Sequence, residues 1–293
     1  AGLRSVLVRS NATRGAPPIR FRRVVAGCLF AVIALATLVG GEAGAAPQPS
    51  GRRGITVVQV QGYIDPPVAT LLRDAITNAN QSRSTLLLVQ LDSKGALDVD
   101  VARLVRMIRD SRVPIAVWVG PSGAHANGAA ALLAEAAPIL FVSPGSNLGP
   151  AQPVRLDQSG GSVDAVRSEL GGLADATGRD PAATRRLAFR GLGASDAARL
   201  GVTNGVRPTI GEVIVTLDGR TVRTAAGAIR LSTAKVIGTG RGRRRQPNQQ
   251  VVFDSLGLGA RLQHTLISPR VAYLLLVVGL ALAVIAGGVL AAM

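Results

Sequence analysis

Side chains able to do chemistry are scarce in this sequence, and their spacing narrows what they can do. The 293 residues hold two lysines, Lys94 and Lys235, two histidines, His125 and His264, and one cysteine, Cys28. One cysteine excludes an internal disulfide framework and a multi-cysteine metal site, and two distant histidines do not make a zinc site. No metal and no other cofactor is expected. Hydroxyl chemistry is the remaining route. Ser122, Ser143 and Ser146 lie on loops that could approach the loop bearing Lys94, which would offer an amine base to a hydroxyl nucleophile. Ser122 also stands three residues before His125, the spacing from which a Ser–His–Asp triad would have to be built. Each residue has a plainer reading. Lys94 reads as a solvated loop charge, the serines as turn residues and His125 as an exposed loop histidine. Asp92 reads as the cap of a strand end, and Glu135 as a structural residue in a helix of small side chains.

Composition limits the alternatives further. The formal net charge is +16, but most of it sits outside the central segment. Residues 1–54 carry eight arginines against one acid, and residues 236–293 carry six against one, leaving 19 basic and 15 acidic residues, a net of +4, in 55–235. With only 3% aromatic residues there is no stacking platform for single strands either, and nucleic-acid binding is not expected. Apolar residues make up 47% and mean hydropathy is +0.33, values that point to membrane segments. Arg20, Arg22 and Arg23 precede an apolar run from Val24 to Val39, and Ala43-Gly44-Ala45 follows as a small-residue cleavage site; residues 1–46 therefore read as an N-terminal extension with a secretory signal. Val271 to Met293 is uncharged and 23 residues long, about 34 Å as a helix, enough to span a membrane.

Between these ends the pattern is strand and helix in alternation. Residues 47–54 form a linker rich in Pro, Gly and Arg. Thr56–Val60 reads as a β-branched strand. Asp65-Pro66 starts a helix with Val68, Leu71, Leu72, Ala75, Ile76 and Ala79 on one face. Leu86–Leu91, Ile115–Val119 and Ile139–Val142 read as buried strands. Val101, Leu104, Val105 and Ile108 mark a second helix, and Gly128–Ala136 a third. Further helices are read at Val166–Ala174, from Asp180-Pro181, and from Ser195-Asp196 to Gly201. Asp218-Gly219 reads as a hairpin turn within Thr216–Val222, and 236–270 as a basic linker before the last span at 271–293. Such repeats imply a parallel sheet with right-handed crossover helices in the domain 55–235. Sites in these sheets collect at the carboxyl ends of the strands, here the loops Asp92–Leu97, Gly120–Asn127 and Ser143–Gly149.

Those loops also carry a resemblance. Leu91-Asp92-Ser93-Lys94-Gly95-Ala96-Leu97 is similar to a Leu-Asp-Thr-Pro-Gly-Gly-Leu segment of the NfeD family of membrane serine proteases. Pro121-Ser122-Gly123-Ala124 and Pro144-Gly145-Ser146-Asn147-Leu148-Gly149 follow in the same order as two motifs of that family. Gly191–Val206, Leu217–Val222 and Ser268–Leu275 resemble its later segments, so the similarity runs from about Gly54 to the end. The resemblance implies an α/β fold of the ClpP/crotonase type, a parallel sheet with crossover helices, placed between the N-terminal signal segment and the C-terminal transmembrane helix.

It also implies a Ser–Lys dyad, and here the residues depart. The nucleophile position falls on Gly128 and the lysine position on Gly161, neither of which carries a reacting group. No lysine lies between Lys94 and Lys235, and a guanidinium such as that of Arg155 or Arg167 stays protonated. Gly95, Ala96 and the amide of Ala129 would form the oxyanion and peptide groove, with Ala96 replacing a glycine. Ser122, Ser146 and Lys94 remain as the alternative catalytic set. The expectation is a catalytically inactive homologue that binds a hydrophobic peptide or a stomatin-like membrane protein. An active endopeptidase with a non-standard nucleophile is the alternative. A crotonase-type acyl-CoA enzyme would share the fold but be out of place outside the cytoplasm. The chain is expected at a bacterial plasma membrane, its main domain extracytoplasmic, as a homo-oligomer. One tension stays in this topology: Arg241 to Arg245, Arg261 and Arg270 precede the last span on the outer side, against the positive-inside bias, where they would meet anionic headgroups.

Overall fold

A computed structural model describes residues 54–152, 163–237, 244–248 and 251–254, with Tyr273, Leu276 and Val277. The first strand, β1 (Ile55–Ile64), runs into α1 (Pro66–Ser82). Asp65 caps this helix by accepting from the Val68 amide at 3.1 Å, and Pro66 occupies the first turn, where no amide is needed. Val68, Leu72, Ala75, Ile76 and Ala79 are buried along one face, the stripe expected from their spacing; Leu71 is half-buried beside it. The helix returns the chain to β2 (Leu86–Ala96), and α2 (Val101–Arg109) carries it to β3 (Ile115–Val119). Then follow β4 (His125–Ala126), α3 (Ala129–Ala136), β5 (Ile139–Val142) and β6 (Asn147–Leu148). After α4 (Val163–Thr177) and α5 (Pro181–Arg185) come β7 (Leu192–Gly193), α6 (Ala194–Arg199) and α7 (Ile210–Leu217). The described chain closes with β8 (Thr221–Thr224), β9 (Gly227–Arg230), β10 (Ala234–Ile237), β11 (Arg244–Pro247) and β12 (Val251–Asp254).

The sheet forks at β2. Its first half pairs with β3, from Leu87 opposite Ile115 to Leu91 opposite Val119, while its tip pairs with β4 through Ser93 and Ala126. One tier is the parallel array β12-β1-β2-β3-β5; the other runs from β2 through β4 and β6 to β7, where the last pairing turns antiparallel. The two-residue strands β4 and β6 lie within segments that read as loops from sequence, being too short to show a periodicity. Likewise β2 continues to Ala96, because β1 keeps pairing with it through Ile64, so Asp92–Leu97 is strand over most of its length.

Each face of the sheet has its own core. On one, α1 to α4 bury Val58, Val60, Leu87, Val89 and Val117. On the other, Val213, Ile214 and Leu217 of α7 and Val222 of β8 cover Val57, Leu88, Trp118 and Phe141. Phe141 lies under two guanidinium groups, Arg207 at 5.4 Å and Arg220 at 5.9 Å from its ring centre.

Three sequence readings are corrected here. Asp218-Gly219 closes the helix Ile210–Leu217 and is not a hairpin turn; the apolar spacing of Val213, Ile214 and Leu217 buries a helical stripe there. The hairpin lies further on, β8 against β9, with Thr224 opposite Gly227. The helix read from Ser195 is capped by Gly193, without a side-chain hydrogen bond. Strands β11 and β12 lie inside the stretch 236–270 read as a linker, and β12 pairs with β1 from Ile55–Val251 to Val58–Asp254. Residues 1–53 with the signal segment, Gly161 and nearly all of 271–293 lie outside the described residues. Among the described residues no helix is long and apolar enough to cross a membrane.

Candidate functional site

The strand-end turn between β4 and α3 carries the site's geometry. Asn127 N donates to Ser93 O at 2.9 Å and Gly128 N to Pro150 O at 2.7 Å, which holds the turn between the tip of β2 and the segment after β6. Gly128 takes φ +54° and ψ −131°, a sharp strand-to-helix turn of the kind that exposes a nucleophile at the start of a helix. A Cβ on Gly128 would stand 3.3 Å from Gly95 Cα, 3.2 Å from Gln152 O and 3.7 Å from Lys94 O. The empty side-chain direction therefore faces the tip of β2.

That tip is bulged. Gly62 pairs with Ser93 and Tyr63 with Gly95, so Lys94 is the extra residue, and it is exposed. Gly95 has φ +142°, which a side chain would oppose, whereas Ala96 sits opposite Ile64 in ordinary strand pairing. Ser93 is fully buried and fastens the bulge: its Oγ donates to Gly95 O at 3.0 Å and accepts from Gly95 N at 3.3 Å. Ala129 N–H, first in the helix, has no acceptor within it and points out of the N-terminal end with the positive end of the helix dipole. Gly128 is thus brought against Gly95 with no hydroxyl side chain of its own; Ala96 pairs with Ile64, and the Gly95 amide is taken by Ser93 Oγ.

The hydroxyls of Ser122 and Ser146 have other partners, while Ser143 Oγ is buried without one among the described residues. Ser122 Oγ donates to Pro144 O at 2.6 Å. Ser146 is buried, donates to Pro121 O at 3.0 Å and accepts from Ala124 N at 3.1 Å. The two hydroxyls staple the loops before β4 and β6 to each other. Asp92 Oδ1 accepts from His125 N at 3.0 Å, a cap on a neighbouring strand. Among the described residues no hydrogen bond links Lys94 to either serine, or Ser122 to the His125 ring.

At the other end of the helix that starts at Ala129 lies a group that the sequence only half announces. Glu135, near the end of α3, is fully buried, and Arg179, in the connection after α4, meets it at 3.1 Å. Arg179 also donates to Glu135 O at 2.8 Å and to Ala137 O at 2.6 Å, tying off the carboxyl end of the helix. An acid directly after Ala129-Ala130-Ala131-Leu132-Leu133-Ala134 is the available signal for a buried partner; nothing around Gly178-Arg179 points to which one. Burial pushes the Glu135 carboxyl from 4.5 up to about 7, against the pull of Arg179, and the same burial lowers Arg179. The folded carboxyl holds its proton more tightly than the unfolded chain does. Its contribution is therefore fully present below the ordinary value of 4.5 and is lost as pH rises through about 7. Thermal unfolding across that window is expected to show wild type losing stability relative to Glu135→Gln as pH rises; a constant difference would contradict the burial argument.

The sheet and its crossover helices define a class, a mixed α/β domain similar in fold to the 1510-N membrane-bound proteases. The sequence matches no protein-family model. It is 23% identical over 236 residues to the membrane-bound protease PH1510 of Pyrococcus horikoshii, covering 77% of this chain and 51% of the relative. The chain thus spans about half the length of that curated relative. Among solved structures, a lysine-to-alanine mutant of the 1510-N membrane-bound stomatin-specific protease, in complex with a substrate peptide, superposes with a TM-score of 0.62 at 20% identity, over 72% of this chain and 96% of that one. The 1510-N membrane protease specific for a stomatin homolog from the same organism gives 0.60 at 19%, over 73% and 98%.

Proposed function

We propose that this chain is a membrane-anchored protease homologue that holds an extended hydrophobic segment at the strand-end groove and does not cut it. A stomatin-like membrane protein is the proposed source of that segment, since the solved relative is specific for a stomatin homologue. One observation supports the reading: the turn onto which the resemblance puts the nucleophile takes φ +54° and carries Gly128, which has no side chain. Acyl transfer needs an attacking group and a base to accept its proton. The Ala129 amide at the helix start can bind a carbonyl oxygen without either. Binding by strand addition needs only main-chain partners and small pockets, and this reading puts the bound segment at the strand ends beside Gly128. The anchor in this reading is 271–293, the domain lies on the outer side of a bacterial plasma membrane, and the chain is a homo-oligomer.

The test is binding without turnover. The full chain in detergent is titrated against a fluorescent hydrophobic peptide drawn from a stomatin-like carboxyl terminus, and the peptide is then recovered for mass spectrometry. Saturable binding, weakened by Gly95→Val and leaving the peptide intact, is the expected result. Cleaved peptide would favour the active endopeptidase; no saturable binding would remove the groove from the account.

A further inference from the structure

A second feature, independent of the groove, lies on the face of the sheet covered by α7. From Ile210 to Pro247 the sequence has eight basic residues and two acids, Glu212 and Asp218. Two antiparallel ribbons, β8–β9 and β10–β11, carry most of that charge and spring from one buried knot. Asp218 Oδ1 accepts from Thr233 N at 3.0 Å and Ala234 N at 3.1 Å, Thr233 Oγ1 donates to Ile214 O at 2.6 Å, and Leu231 N donates to Arg220 O at 2.8 Å. Leu231 and Thr233 are buried, so the base of both ribbons is fixed to the core.

Beyond the knot the second ribbon is bare. Lys235, Val236 and Ile237 are exposed in succession, Val236 at 54% and Ile237 at 42%. Successive strand residues point to opposite faces, so neither face of β10 is covered. Arg223 and Arg230 are exposed on the first ribbon, and Lys235 and Arg245 on the second. Among the described residues only Arg245 of these four is in an ion pair, with Asp218 Oδ2 at 3.2 Å. Unneutralised cations interleaved with bare aliphatic side chains fit a surface that is anionic outside and apolar beneath. A second copy of the same ribbon would instead oppose like charges. Chain order agrees with a bilayer, because the uncharged run 271–293 follows shortly after β12.

We propose that the β8–β9 and β10–β11 ribbons form a docking surface for acidic phospholipid, laying this side of the domain on the bilayer. The test is hydrogen–deuterium exchange of the full chain in nanodiscs of phosphatidylcholine, with and without phosphatidylglycerol. Amides of Ala234–Ile237 and Arg244–Gln246 are expected to exchange at least about tenfold more slowly on the acidic nanodiscs. Each cation at such a surface is worth roughly fivefold in affinity, so Arg230→Glu with Lys235→Glu is expected to restore the rate seen on neutral lipid. High salt should do the same in wild type. Equal rates on both lipids would overturn the proposal. So would equal protection in detergent, which would indicate a second copy, or protection by a DNA duplex without dependence on lipid charge.

Discussion

At alkaline pH, above the value of about 7 to which burial raises Glu135, Glu135→Leu is expected to destabilise the protein by about 3–5 kcal/mol, because it leaves the Arg179 guanidinium buried without its counter-ion. For a chain of this size that is a fall in Tm of roughly 10 °C or more, read by thermal unfolding followed by circular dichroism. Both side chains are almost wholly inaccessible, at 0% and 2% exposure, so water cannot replace the lost partner. Arg179→Met should cost less. Glu135 already binds its proton up to about pH 7 and can become neutral when the cation is gone, which a guanidinium cannot do. The carbonyls of Glu135 and Ala137 would lose their donors in that variant, so it does not become neutral in stability. Glu135→Leu combined with Arg179→Met should recover much of the loss, since an apolar pair of similar volume often replaces a buried ion pair without net cost. Equal losses in the two single variants would contradict the assignment of the penalty to the stranded charge. The pair also fixes the helix whose first turn lies at the site, so the damage is expected to reach peptide binding.

The second large effect concerns reactivity. Gly128→Ser alone is expected to leave peptide hydrolysis at background, and Gly128→Ser with Gly161→Lys to exceed it by about 10²–10⁴-fold, the usual contribution of a positioned general base. The new hydroxyl would start from a Cβ 3.3 Å from Gly95 Cα and beside the amide of Ala129, where backbone donors can hold an oxyanion. A serine at φ +54° carries a conformational strain of order 1–3 kcal/mol, so Tm should fall by a few degrees in both variants. Hydrolysis switched on by the serine alone would mean that a base is already in place. No gain from the pair, in a folded protein that still binds peptide, would remove Gly161 as the lysine position.

Much of the framework was legible because apolar spacing is dictated by burial. The stripe Val68, Leu72, Ala75, Ile76 and Ala79, the cap at Asp65 and the buried run Leu86–Leu91 all stand where their periodicity puts them. The fork in the sheet was not legible. It depends on pairs of residues, His125–Ala126 and Asn147–Leu148, whose strand character comes from neighbours far along the chain. The bulge at Lys94 is invisible for the same reason, since it exists only as a shift in register against Gly62 and Tyr63. Gly128 was identified by resemblance, but its positive φ could only come from the fold. Ser93 stands out in the sequence only as one residue of the Leu91–Leu97 segment, although it fastens the bulge from a fully buried position. The Asp218-Gly219 reading failed because a turn signal was weighed above the helical spacing of Val213, Ile214 and Leu217.

The most direct measurement is labelling of the purified full chain with a fluorophosphonate probe, which reacts only with a serine made nucleophilic by its surroundings. The proposed role predicts no specifically labelled site in wild type, with Ser93, Ser122 and Ser146 all unmodified. A single serine labelled stoichiometrically, with labelling and peptide hydrolysis both abolished by its replacement with alanine, would contradict it.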